Sequence, residues 1–345
     1  MIRMDARPPK ENARVELVCP AGGLPALRAA VDHGTDAVYI GFRDGLNARN
    51  FPGLNFDREE AQAGIRYAHE RGARVFVALN IYPRPRQWEA ATAAVDLASA
   101  LGADALILAD AGLLRYARQR HPSLNLHLSV QSSATNWRAL EFYRREFGIR
   151  RAVLPRVLSL AQVRQVIARS PVEIEVFGFG SLCVMVEGRC ALSSYVTGES
   201  PNSHGVCSPA HAVCWVETAE GRESRLNGVL IDRYAQGEPA GYPTLCKGRF
   251  EVGAQIFHAL EEPTSLNVLD ILPELLRAGV RAIKIEGRQR SPAYVAQVTK
   301  TMRSALDTCL ADPERYRPKP ETMRVLDRLA EGSCHTLGAY NRPWQ

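Results

Sequence analysis

The feature that most constrains this chain is an eightfold alternation of short runs rich in Val, Ile and Leu with longer amphipathic segments. The runs lie at 15–20, 36–41, 74–80, 104–109, 125–131, 151–155, 173–179 and 281–286. The amphipathic segments lie at 24–33, 58–71, 87–101, 111–119, 135–146, 159–169, 268–279 and 291–311. Short apolar runs suit strands covered on both faces, and strands that alternate with helices form a parallel sheet. Eight such units point to the α/β class and to a closed (β/α)8 barrel of the TIM type. An open doubly wound sheet is the structural rival. No GxGxxG turn follows the first run, where a dinucleotide-binding sheet would need its backbone close to a pyrophosphate.

The rhythm breaks once, at 181–265, where glycines, serines and prolines replace helical periodicity. A connection that long without an apolar core needs another organising element, and a metal centre is the natural one. The expected division is a flexible arm at 1–14, a barrel over 15–180 and 266–312, a cysteine-rich insertion at 181–265 between strands seven and eight, and a loop-like basic tail at 313–345. Hydrophobic residues make up 46% and charged residues 23% of the 345, the balance of a soluble globular protein. No apolar run is long enough to span a membrane, and the first fourteen residues lack the apolar stretch of a signal peptide, so a cytoplasmic protein is expected. The net charge of +6 comes from 43 basic and 37 acidic residues dispersed along the sequence, which speaks against a nucleic-acid partner.

Five of the eight cysteines, Cys183, Cys190, Cys207, Cys214 and Cys246, fall in the insertion. In a reducing compartment, clustered thiols are metal ligands more often than disulfides. Four thiolates suit tetrahedral zinc or a 4Fe-4S cluster, but no CxxC knuckle of the usual zinc kind occurs. The gaps of six, sixteen and thirty-eight residues between Cys183, Cys190, Cys207 and Cys246 leave cluster, zinc and unmetallated buried thiols all open. Cys214 reads as a packing residue and Cys309 and Cys334 as bystanders. Cys19 ends the first strand, where either a site residue or a core thiol would sit.

Alternation along the strands turns several polar side chains into the barrel. In RAIKIEG the isoleucines face the helices, leaving Lys284 and Glu286 inside; in NLHLSVQ the same rule puts His127, Ser129 and Gln131 inside, and in RVFVALN it leaves Asn80 at the strand end. Barrel enzymes build their sites from strand ends at the C-terminal mouth, so Glu286, Lys284, Asn80 and Gln131 are the candidate catalytic residues. A hydrogen-bonded core network is the alternative. Arg288 and Arg290 follow strand eight, where many barrels bind anions, and Arg49, between Asn47 and Asn50, follows strand two; guanidinium forks there suit carboxylates.

Several stretches together carry a family resemblance: LVCPAGGLPALRAA, DAVYIGF, NARNFPGLNF, FGFGSLCVMVEGRCALSSYVTGESPN, VLIDRYAQGEPAGYPTLCKGR, HALEEPTSLN and KIEGRQRSPAYV. They are similar to the UbiU-like branch of a family first classed as collagenase-like peptidases, whose other members include prephenate-dependent RNA hydroxylases. The similarity covers nearly all of the chain after the arm. It implies a 4Fe-4S cluster on Cys183, Cys190, Cys207 and Cys246. It also implies a dioxygen-independent hydroxylase subunit acting on the aromatic ring of ubiquinone precursors, with prephenate as hydroxyl donor and a homologous UbiV-like subunit completing a heterodimer. A tRNA hydroxylase using the same donor and a non-catalytic cluster scaffold are the alternatives. A peptidase is disfavoured, because HExxH and GxSxG are both missing.

Overall fold

Each expected apolar run forms a strand within a few residues of its expected bounds. The computed structural model describes residues 15–342; the expected arm at 1–14 lies outside them. The first seven strands are β1 (Glu16–Pro20), β2 (Ala37–Ile40), β3 (Arg74–Leu79), β4 (Ala105–Leu108), β5 (Asn125–Leu128), β6 (Arg151–Val153) and β7 (Glu173–Ser181). Between them run α1 (Leu24–Asp32), α2 (Arg58–His69), α3 (Trp88–Ala100), α4 (Ala111–Arg120), α5 (Trp137–Phe147) and α6 (Leu160–Arg169). Polar caps set the helix starts: Asp57 and Glu60 form a reciprocal capping box on α2, Ser159 and Gln162 form one on α6, and the Asn136 side chain accepts from the Ala139 amide at α5.

The insertion is more regular than expected. Short helices α7 (Leu192–Thr197) and α8 (Pro201–His204) precede an antiparallel meander of β8 (Val213–Thr218), β9 (Gly221–Leu226) and β10 (Val229–Ala235), and then the hairpin of β11 (Phe250–Val252) and β12 (Gln255–Phe257). Asn227 and Gly228, both at positive φ, join β9 to β10, the two-residue turn that matches strand twist. After it come β13 (Ser265–Asn267), α9 (Leu272–Ala278), β14 (Ala282–Ile285) and α10 (Pro292–Ala311). The tail, expected as a loop, forms α11 (Pro320–Leu329) and β15 (His335–Thr336). It acquires structure because β15 pairs with β13, which in turn pairs antiparallel with the overhanging end of β7, Ser265 opposite Ser181.

Closure comes from β14, which pairs in parallel with β1 on one side and β7 on the other. The eight parallel strands therefore form a closed barrel, as the alternation predicts. Two apolar layers result. Leu17, Leu27, Ile40, Leu106, Leu108 and Leu113 pack strands against helices, whereas Val18, Ala37, Tyr39, Phe76, Ala78, Ala105, Ile107 and Ala282 line the interior. Small residues at four of those interior positions leave room for long polar side chains. Lys284 Nζ donates to Glu175 at 2.7 Å and lies 3.8 Å from the centre of the Tyr39 ring. Arg151 reaches Glu16 at 2.8 Å, Glu173 at 2.7 Å and Glu175 at 3.5 Å. His127 stacks edge-on against Phe76, and burial among cations holds its pKa well below the ordinary histidine value.

Removing one member of a buried ion pair strands its partner. Glu175→Ala is expected to cost about 3–5 kcal/mol, seen as a lower urea midpoint with an unchanged denaturant slope; an unchanged midpoint would show that the interior charges do not depend on Glu175.

Candidate functional site

The C-terminal ends of the parallel strands share one rim, and the insertion leaves β7 at Ser181 to lie over it. Gly188 sits against the backbone of Gln131, where a Cβ would come within 1.8 Å of the Gln131 carbonyl, at φ +82°. The Tyr82 amide donates to the Asn202 carbonyl at 2.9 Å, and the Asn202 side chain donates to the Cys190 carbonyl at 3.2 Å. The Ser133 hydroxyl donates to the Glu187 carbonyl. Loops after β3 and β5 thus hold the segment between Cys183 and Cys207 in place.

Cys183, Cys190, Cys207 and Cys246 are free and half-buried. Burial pushes the Cys183 and Cys246 thiols up to about 12 and raises Cys207 as well. The four are electrostatic neighbours: Cys207 acts on Cys183, and Cys190 and Cys207 both act on Cys246. Arg49, Arg156 and Lys247 oppose the rise at Cys207. Among the described residues no group of three or more His, Cys, Asp or Glu side chains forms a ready-made site for one metal ion. A zinc ion would need its sulfurs about 2.3 Å away around a single point. Arg49, Arg156 and Lys247 are themselves paired with Glu286, Glu187 and Glu331, so what fits a polynuclear group is the set of four neighbouring thiols, because such a group brings its own sulfides and spaces its ligands more widely than a single ion does.

Glu286 is buried at the rim and accepts from Arg49 Nη2 at 2.9 Å and Nε at 3.1 Å. Burial pushes this carboxyl up, but Arg49 and then Arg156 outweigh it and hold the pKa below the ordinary glutamate value. Glu286 is therefore charged at neutral pH. Arg49 lies between the two centres, acted on by both Glu286 and Cys207. Asn80 accepts from the Ala48 amide at 2.9 Å and donates to Ser129 at 3.1 Å, bridging the rim. The Gln131 carbonyl accepts from the Tyr82 hydroxyl at 2.6 Å, while its Oε1 is buried with no partner among the described residues.

Other expected residues have different surroundings. Lys284 lies deeper than the rim, paired with Glu175, and burial lowers its pKa against the pull of that carboxylate. Arg288 is not an open fork: Nη1 donates to Asn47 Oδ1 at 2.9 Å and Nη2 to the Ala48 carbonyl at 2.7 Å, so the guanidinium shapes the loop after β2. Arg290 is half-buried and stacks over Tyr294 at 5.1 Å. Cys19 turns outward, receiving a hydrogen bond from Thr299 on α10 at 3.3 Å. Cys214, expected to be packed, is exposed on β8. Sequence reading missed Arg156, Lys247 and Glu187 at the rim and Tyr39 below it. Tyr39 was accessible by the alternation rule in DAVYIG; Arg156 and Lys247 carry no local signal.

The dispersed charge also gathers in space. Arg115, Arg118 and Arg120 on α4, Arg138, Arg144 and Arg145 on α5, and Arg164 and Arg169 on α6 are all exposed. Only Glu141 and Glu146 oppose them on these neighbouring helices, so this face holds a net +6, equal to the formal excess of the whole chain. Arg138 stacks on Trp137 at 3.9 Å, and Phe142 is exposed beside them. The expectation against a nucleic-acid partner rested in part on dispersed charge, and the exposed arginines of these three helices remove that part of the argument. Helix periodicity brings residues far apart in sequence onto one surface.

Residues 22–343 match the sequence profile of peptidase family U32. The tRNA hydroxylation protein P1 of Bacillus subtilis is 31% identical over 93% of this chain and 70% of its own length. The tRNA hydroxylation protein P of Escherichia coli is 32% identical over 93% of this chain and 72% of its own. The 23S rRNA 5-hydroxycytidine C2501 synthase of Escherichia coli is 32% identical over 87% of this chain and 40% of its own. A solved U32 peptidase shares 15% identity over 51% of this chain and 74% of its own, with a TM-score of 0.40.

Thiol reactivity follows exposure and thiolate fraction. In reduced, metal-stripped protein, iodoacetamide is expected to label Cys214 and Cys334 at least about tenfold faster than Cys183 or Cys207, as mapped by mass spectrometry. Equal rates would contradict the buried placement.

Proposed function

The chain belongs to peptidase family U32, and on that footing we propose that it is a hydroxylase subunit acting without dioxygen. Its substrate in this reading is the aromatic ring of a ubiquinone precursor, its hydroxyl donor is prephenate, and its partner is a homologous UbiV-like subunit in a heterodimer. The observation that carries the reading is the adjacency of two centres about one guanidinium: Arg49 pairs with Glu286 at 2.9 Å and interacts electrostatically with Cys207. The family's named relatives include hydroxylation proteins, which supports an enzyme of this kind over a peptidase.

Cys183, Cys190, Cys207 and Cys246 would hold the 4Fe-4S cluster, and Arg49, Arg156 and Lys247, each paired with a carboxylate, would lie beside its thiolates. When bound, such a cluster supplies one-electron chemistry. The chain's own residues do the rest. Glu286, ionised and at the rim, is placed to accept a proton. Arg290 offers a guanidinium group to a dicarboxylate, whereas the Nε and Nη2 of Arg49 are held by Glu286. Asn80 ties the loop after β2 to Ser129 through both ends of its amide, and Gln131 keeps a buried amide oxygen without a partner among the described residues. Lys284 keeps the interior beneath Glu286 charge-balanced through Glu175 rather than facing the opening.

A second reading, RNA hydroxylation, is favoured by the arginine face of α4–α6 and by the relatives named for tRNA and rRNA hydroxylation. One strain separates the two. Deleting this protein is expected to abolish ubiquinone synthesis without air and leave it normal in air, where dioxygen-using enzymes suffice. Glu286→Gln is expected to reproduce the anaerobic loss while retaining iron. If ubiquinone is unchanged and a hydroxylated nucleoside instead disappears from digested RNA, the second reading replaces the first.

A further inference from the structure

Arg156 enters the proposed function only as one of three cations beside the thiols, yet it is among the most enclosed charges at the rim. It follows β6 by three residues, and its side chain is 7% exposed against 4% for its partner Glu187. Its Nε donates to Glu187 Oε1 at 2.7 Å, its Nη1 donates to the Ser181 carbonyl, and its guanidinium carbon lies 4.5 Å from the centre of the Phe177 ring. Ser181 ends β7 two residues before Cys183, and Glu187 lies between Cys183 and Cys190. One planar group therefore grips the cysteine segment on both sides of Cys183 and anchors it to the barrel. A fork that makes two directed bonds fixes orientation as well as distance, which a lysine cannot do.

We infer that the Arg156–Glu187 pair is a positioning and charge-setting device for the thiol centre, fixing the loop of Cys183 and holding one positive and one negative charge beside it. The inference rests on the reading of that centre as an iron-sulfur cluster. Arg156 acts electrostatically on Cys183 and Glu286, and Glu187 acts on Cys183 with the opposite sign. Glu187 Oε2 is buried and has no partner among the described residues, so its charge is not spread over other donors. Cluster potentials respond to nearby net charge and hydrogen bonding. The two halves of the pair must then move the potential in opposite directions.

The test uses the full chain purified without air, with iron content, reduction potential and the rate of iron loss to a chelator measured for four proteins. Arg156→Gln removes a positive charge and is expected to lower the potential, whereas Glu187→Gln removes a negative charge and is expected to raise it. Arg156→Lys keeps the charge and loses the fork, so its potential is expected to stay near wild type while iron loss quickens at least tenfold. A purely structural role would not give shifts of opposite sign. If Arg156→Gln does not fold, Glu187→Gln still reports, because Arg156 keeps the Ser181 carbonyl. Wild-type chain that takes up no iron overturns the cluster reading and this inference together. Loaded wild type with both glutamine variants unmoved, or moved in the same direction, overturns this inference alone.

Discussion

The closing contact between β14 and β7 is the interaction on which the rest depends. It joins the last barrel strand to the strand from which the insertion departs, and it places Lys284 Nζ 2.7 Å from Glu175 in the closed interior. Lysine and glutamate are costly to bury singly, and they are tolerated here because each supplies the charge that the other lacks. Tyr39 adds its ring face to the ammonium and its hydroxyl to the Ile285 carbonyl at 2.8 Å, so three strands are tied at one level. With the ring closed, Glu286 and the β7 end that leads to Cys183 lie on the same rim.

That rim is polar because the interior is built from small residues beneath it. Ala37, Ala78, Ala105 and Ala282 admit long side chains that a Leu-filled barrel would exclude. The charges they admit are ordered by depth. Arg151 with Glu16 and Glu173 occupies one level, Lys284 the next with Glu175 bridging the two, and Glu286 with Arg49 the mouth. The three cations that reach the thiols, Arg49, Arg156 and Lys247, are each paired with a carboxylate as well, Glu286, Glu187 and Glu331.

Arg288 shows how position after a strand can mislead. Its location after strand eight is where a barrel holds anions, but the chain bends it back into the wall, where Asn47 and Ala48 consume its donors. Arg49, the weaker candidate by position, points into the site because the loop after β2 is held from below by that same arginine. One arginine positions the other.

Much was legible in the sequence alone. The eight strands, the eight helices around them and the inward positions of Lys284, Glu286 and His127 all follow from periodicity, because strand alternation and helix turns are local geometry, whereas the four-cysteine set is what the family resemblance implies. Tertiary structure alone decided the rest. It showed that Arg156 belongs to the cysteine loop, that Arg288 is spent on the β2 loop, that the tail supplies β15, and that arginines dispersed from 115 to 169 share one face. Those facts depend on contacts between segments far apart in the chain, and a side chain's partner across the fold leaves no mark in the residues beside it.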